Sequence, residues 1–255
     1  EPDQVTGEDV SRFITSLAAP DGRGLGPGSV AQAASALRSF HRFMLAEGLS
    51  EADPTMTLAS PRTPMRLPRA LTTEEAEALV CSASGGAPLA LRDRCILELL
   101  YGTGMRISEL VGLDVGDVDL PGRLATVHGK GDRWRIVPFG SAASRAVVEY
   151  LEHARPVLAR RSRSQALVLN ARGGRLTRQG CWKIVKTHAR SAGLEEKVTP
   201  HGLRHTFATH MLEGGASLLV VQELLGHASV ATTQIYTEVT RDHLRSVYER
   251  SHPRA

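Results

Sequence analysis

Ten residues, His201 to His210 (HGLRHTFATH), place three histidines and one arginine on a few helical turns. His201, Arg204 and His205 are spaced i, i+3 and i+4, which puts them on one face of a helix. Three readings fit that set: a metal site, a clamp for an anion such as phosphate, or a chance structural cluster. The two i, i+4 histidines resemble a zinc helix only loosely. Gly202 stands where a zinc hydrolase carries its glutamate base, and Arg204, which cannot ligate a metal, sits between the histidines. A phosphate suits the set better, because a guanidinium offers a planar fork of donors and His201 can add another. His205 and His210 are left to packing or hydrogen bonding.

Three further motifs carry candidate chemistry. In YGTGMRISEL (101–110), Gly102 and Gly104 break one helix and Arg106 opens the next, a place where free N–H groups and the helix dipole already favour anions. Glu109, three residues on, could hold the Arg106 guanidinium from behind. A dinucleotide fingerprint does not fit, since no third glycine follows and no strand precedes. In HGKGDRWR (128–135), Lys130 lies between two glycines at a hairpin tip. Only four of the 31 basic residues are lysine, and lysine, unlike arginine, has a proton that can be made labile. That suits a proton donor, against the ordinary reading of a solvated turn lysine. In LLGHASVATTQIYTEV (224–239), Gly226 stops a helix, His227 follows in the turn, Ser229 can cap the next helix, and Tyr236 lies about two turns in.

These groups need elements to position them. Residues 6–18 have an amphipathic helical pattern (Val10, Phe13, Ile14, Leu17) with Thr6 or Asp9 as cap, and 29–47 a second (Val30, Ala33, Ala34, Leu37, Phe40, Met44). The stretch 53–70, with its prolines and arginines, reads as an extended linker. Beyond it, LTTEEAEAL opens a capped helix and 88–101 forms another. A β-hairpin spans 123–139. Helices are expected at about 141–160, 177–192, 200–213, 217–225 and 229–250. At 42% hydrophobic but 4% aromatic residues, the core is aliphatic and favours helices.

Residues 1–65 hold five basic and eight acidic side chains, and the remainder 26 and 19. The basic region suits a polyanion, although an arginine-rich soluble surface explains the charge equally well. Three separated cysteines (Cys81, Cys95, Cys181) argue against a disulfide framework and fit a reduced, cytoplasmic compartment. No apolar run reaches membrane-spanning length, and the acidic N-terminus is no signal peptide. Without an initiator Met, and with only two helices before the linker, the chain reads as truncated at its start.

Taken together, Arg106, Lys130, His201, Arg204, His227 and Tyr236 stand in the order of the tyrosine recombinase (phage-integrase-type) family, whose pattern is Arg…Lys…His-x-x-Arg…His/Trp…Tyr. YGTGMRISELVGL, GKGDRWRIVPFG, HGLRHTFATHMLEGGA, VVQELLGHASVATTQIYTEV and the ending HPRA resemble the Xer subgroup. The likeness runs from about residue 54 to 255 and is weaker over 1–53, where SALRSFHRFMLAEGL is similar to the end of a Xer N-terminal domain. XerC-like and XerD-like remain open. Glu238 departs from the pattern, standing where many Xer proteins have His.

The resemblance implies a mainly α fold with a small antiparallel β-sheet. Residues 1–53 would be a helical core-binding (SAM-like) domain, 54–70 a Pro/Arg-rich linker, and 71–255 a mixed α/β catalytic domain whose C-terminal helix and tail dock into a neighbouring protomer. It implies site-specific DNA cleavage and rejoining through a 3′-phosphotyrosine, without metal or cofactor. Tyr236 would attack the scissile phosphate. Arg106, Arg204 and His227 would stabilise it, His201 would help accept the tyrosine proton, and Lys130 would protonate the leaving 5′-oxygen. Glu109 would orient Arg106, and Arg38, Arg42, Arg133, Arg135, Arg178 and Lys183 would meet DNA. The implied partners are a double-stranded recombination site, further recombinase protomers in a tetrameric synapse and an FtsK-like DNA translocase, with no membrane, in chromosome dimer resolution. A non-catalytic, sequence-specific DNA-binding regulator would share the basic surface without the ordered set, and a zinc hydrolase would leave Arg204 unexplained.

Overall fold

A computed structural model of the chain describes residues 4–19, 21–59, 69–129, 134–160, 162–226 and 238–255. The chain divides into two compact units, Glu1–Leu67 and Pro68–Ala255.

The first unit is built on a helix pair. α1 (Gly7–Ala18) starts at a reciprocal cap: Thr6 Oγ1 accepts from the Asp9 N–H, and Asp9 accepts from the Thr6 N–H. α2 (Pro27–Ala46) carries its proline in the first turn, where a missing N–H costs nothing. Ile14, Leu17, Val30 and Ala34 form the small core, with Leu37 and Leu58 packed against it. Two positions of the expected stripes lie at its rim. Phe13 and Phe40 remain about half exposed (47% and 46%), while His41 is buried. Two helices bury only the seam between them, so the edges of each stripe stay outside. The chain also stays on this unit further than composition suggests. Thr55 is buried and bonded to Asp53, and Leu58 packs against the core, so these two residues rest on the unit where a linker is expected, while Met56 between them stays exposed.

The second unit is mainly helical with a small antiparallel sheet. α3 (Thr73–Cys81) opens at a Thr72/Glu75 capping box, and α4 (Pro88–Thr103) is buried along its last two turns. After α5 (Ile107–Gly112) come β1 (Val118–Asp119), β2 (Leu124–His128) and β3 (Trp134–Pro138), in the order β1-β2-β3 with Leu124 opposite Pro138 and His128 opposite Trp134. α6 (Ser141–Glu149) runs into α7 (Arg155–Leu158) through a wider turn at Tyr150–Ala154, where the single helix expected over 141–160 is interrupted. Pro156 explains the break: it has no N–H to give, and its ring crowds the carbonyl four residues back. α8 (Arg178–Ser191), α9 (Pro200–Glu213), α10 (Leu218–Leu225) and α11 (Glu238–Ser251) complete the unit.

Two cores organise it. The larger joins α3, α4, α5, the sheet, α6 and α8 around Ile96, Leu99, Leu110, Val137, Val147 and Val185. The smaller joins α9, α10 and α11 around Phe207, Met211, Val221, Leu224, Leu244 and Tyr248. Among the described residues no helix is long and apolar enough to cross a membrane.

Candidate active site

The junction between α4 and α5 sets the first arginine. Gly104 closes α4 in the left-handed region (φ +61°). A side chain there would be strained and would also overlap Phe207 and Leu225, so glycine is required twice over. Arg106 is the N-cap of α5. Glu109, one turn in, accepts the Arg106 N–H at 2.7 Å and its Nη1 at 2.8 Å. The expected pairing of Arg106 with Glu109 is present, and it leaves the Arg106 side chain 45% exposed over a buried carboxylate.

Glu109 has a second partner that sequence reading placed elsewhere. Arg135, on β3, donates Nη1 to Glu109 Oε1 at 2.8 Å and Nη2 to Oε2 at 2.9 Å. Burial alone would push the Glu109 carboxyl up. The Arg135 fork and charge, with the Arg106 N–H and guanidinium, outweigh burial and hold it at about 2. Arg135 is therefore an interior residue rather than a DNA-facing one. Strand parity causes this: Trp134 points out, Arg135 in, and Val137 in. A charged residue on the inward face of an alternating strand demands a buried counter-charge, but the strand pattern does not say which residue supplies it.

Arg204 arrives from α9. Thr199 caps that helix by accepting the Gly202 N–H at 2.8 Å, and Arg204 lies on its buried face with Leu203, Phe207 and Met211. Its Nη1 donates to Gly104 O at 3.0 Å, and its Nη2 donates to Leu225 O. Burial first, then the charges of Arg106 and Arg135, lower the Arg204 pKa to about 10, while Glu109 pulls the other way. Arg106 and Arg135 bind the one carboxylate, and Arg204 lies close enough to feel its charge and theirs, a local excess of positive charge that favours an added anion. Five N–H donors per guanidinium leave Arg204 with donors beyond its two carbonyls.

α10 supplies the remaining frame. Its last two carbonyls take arginines, Leu224 O from Arg135 Nε at 2.9 Å and Leu225 O from Arg204. Cations are favoured at this negative helix end. Gly226 then ends the helix at φ +65°, with Arg135 Cδ only 2.9 Å from where a Cβ would stand.

Other expected residues are more dispersed. His201 and His205 are exposed on α9, whereas His210 is buried, its Nδ1 2.8 Å from Tyr101 Oη and its Nε2 2.9 Å from Leu71 O. Arg178 and Lys183 are exposed on α8 and Arg42 on α2. Arg38 is half-buried, donating to Leu58 O at 2.6 Å. Lys130, Arg133, His227 and Tyr236 lie outside the described residues. Among the described residues no group of three or more His, Cys, Asp or Glu is placed to hold a metal ion. α11 and the tail pack on their own unit, where Leu244, Tyr248 and His252 face α4, α9 and α10.

Residues 69–243 match the model of the phage integrase family. The chain belongs to the phage integrase family of site-specific DNA recombinases. This recombinase is 50% identical over 256 residues to tyrosine recombinase XerD of Mycobacterium tuberculosis, covering 97% of the chain and 82% of the relative. It is 48% identical over 227 residues to tyrosine recombinase XerD of Halalkalibacterium halodurans, covering 89% and 76%. Among solved structures it resembles XerA recombinase (32% identity, TM-score 0.58, 100% of this chain and 86% of that one). It also resembles XerH recombinase bound to a palindromic difH substrate after cleavage (25%, 0.70, 95% and 71%). The mainly α fold with a small antiparallel sheet is that of the recombinase's structural neighbours.

Proposed function

We propose that the recombinase acts as a XerD-like enzyme on a double-stranded recombination site in the cytoplasm, resolving chromosome dimers. The carrying observation is the grouping of Arg106, Arg135 and Arg204 around Glu109 at the mouth of α5. A pentacoordinate phosphorus gains negative charge on its non-bridging oxygens, and fixed guanidinium groups can stabilise that charge. Arg106 and Arg204 take this role, with His227 as a further donor. Tyr236 attacks phosphorus, its phenolic proton passing toward His201. The bond to the 5′-oxygen breaks as Lys130 gives it a proton, leaving a 3′-phosphotyrosine and a 5′-hydroxyl. A 5′-hydroxyl from another strand then attacks the phosphotyrosine and releases Tyr236, which conserves the bond energy without a nucleotide cofactor.

The first unit serves as a core-binding domain, with Arg38 and Arg42 on α2 toward DNA, and 71–255 as the catalytic domain, with Arg178 and Lys183 of α8 toward DNA. Further recombinase protomers complete a tetrameric synapse, and an FtsK-like translocase is the activating partner.

Incubation with a nicked suicide duplex bearing a Xer-type site tests this reading. A denaturation-resistant protein–DNA adduct absent from Tyr236→Phe supports it. Tight binding with no adduct from the unaltered chain would instead mark a non-catalytic DNA-binding regulator.

A further inference from the structure

We infer that Arg135 is a positioning residue for strand cleavage: it fixes the Glu109 carboxylate that aims Arg106, and it ties that carboxylate to the end of α10. The inference rests on the reading that Arg106 engages the scissile phosphate.

A carboxylate offers about four acceptor sites. In Glu109 all are taken, two by Arg106 through its N–H and Nη1, and two by Arg135 through Nη1 and Nη2. Without Arg135, Glu109 could tilt toward any remaining donor, and Arg106 would tilt with it. The third Arg135 contact, Nε to Leu224 O at 2.9 Å, lies two residues before the α10 cap. One buried guanidinium therefore links α5, β3 and α10. These are the elements next in sequence to Arg106, Lys130 and His227. The same helix end receives Arg204 through Leu225 O, and Arg204 reaches back to Gly104 O. A closed frame of this kind holds reacting groups in one geometry, which is worth more to rate than to affinity.

The charged groups facing Glu109 are Arg106 at its own helix start, Arg135 from β3 and Arg204 from α9. Removing Arg135 takes away the strongest force opposing burial, so the Glu109 carboxyl moves up and begins to take a proton at milder acidity.

The test uses the full chain and a nicked suicide duplex, with single-turnover adduct formation followed against pH. DNA affinity and thermal melting are measured on the same samples. Arg135→Met is expected to slow adduct formation by about 10²-fold with DNA affinity unchanged, the scale of an ångström's misplacement. The acid limb of its rate profile moves to higher pH. In Arg135→Met with Glu109→Gln the slow rate stays but the shifted limb disappears. Arg135→Lys keeps the charge and loses the fork, so its rate falls between. Should Arg135→Met not fold, Arg135→Lys decides alone: a slower rate with a raised acid limb supports the role, and a normal profile overturns it. A normal Arg135→Met profile, or a loss of rate that tracks melting or DNA affinity with no change in acid limb, also overturns it. Arg106→Ala separates the two ideas. If it forms no adduct while Arg135→Met is normal, only the positioning role falls; if both cleave normally, the reading of the site falls with it.

Discussion

Arg254 and Glu98 form a two-pronged ion pair, Arg254 Nε donating to Glu98 Oε2 at 3.0 Å and Nη2 to Oε1. Glu98 is in the middle of α4 with a side chain only 1% exposed, and Arg254 is the penultimate residue of the chain. The C-terminal segment is thus fastened to the core of its own unit by charge as well as by Leu244 and Tyr248. Removing one partner of such a pair strands the other in low dielectric. Arg254→Ala should therefore cost roughly 3 kcal/mol. Adding Glu98→Gln should recover part of that loss in urea unfolding, because no charge is then left unpaired.

Stability should also fall in acid through Glu109. Its carboxyl sits at about 2 in the folded chain against an ordinary 4.5, so the native state binds the proton less tightly than the unfolded one. The stabilisation is complete above the ordinary value and fades as pH drops from 4.5 toward about 2. Glu109→Gln has no such dependence at this position. The stability gap between the unaltered chain and Glu109→Gln should be on the order of 3 kcal/mol near neutrality. It should narrow steadily in acid when measured by denaturant unfolding at successive pH values.

Gly104→Ala should damage stability and cleavage together. Alanine at φ +61° is strained, and its methyl meets Phe207 and Leu225. Relieving the overlap moves the Gly104 carbonyl that orients Arg204. A loss of at least ~1 kcal/mol is expected from the backbone alone. Adduct formation should drop by more than the loss of folded protein explains, read by comparing melting curves with suicide-substrate rates.

His210 should prove structural. Its Nε2–H donates to Leu71 O while Nδ1 accepts from Tyr101 Oη, the one neutral tautomer that satisfies both neighbours. His210→Ala leaves a buried hydroxyl and a carbonyl without this partner, a loss of roughly 2–4 kcal/mol. Cleavage per folded molecule should hold. His201→Ala should do the reverse, keeping the melting temperature and slowing cleavage.

Much of the local structure was legible from residue order alone. Thr6 with Asp9, Thr72 with Glu75, and Gly226 after LLVVQELL are signals whose physics acts within one turn, and each element begins or ends there. Arg106 and Glu109 were readable for the same reason, being three residues apart on one helix start. The family pattern joined these local pieces into an ordered set of candidate residues. The ordering carries identity, because side-chain chemistry and spacing are written directly in the chain.

Partnership across the fold was not legible in that way. Arg135 looked like one more basic side chain for DNA, and only the packing of β3 against α5 and α10 made it the counter-charge of Glu109. His210 shared a motif with Arg204 yet faces Tyr101, over a hundred residues away in sequence. Phe40 continued an apolar stripe but stayed outside, because a helix pair buries only its seam. Spacing along the chain determines which groups share an element. Which of them lose water, and against which partner, is decided by how the elements pack, since burial and long-range ion pairing depend on neighbours that no local pattern specifies.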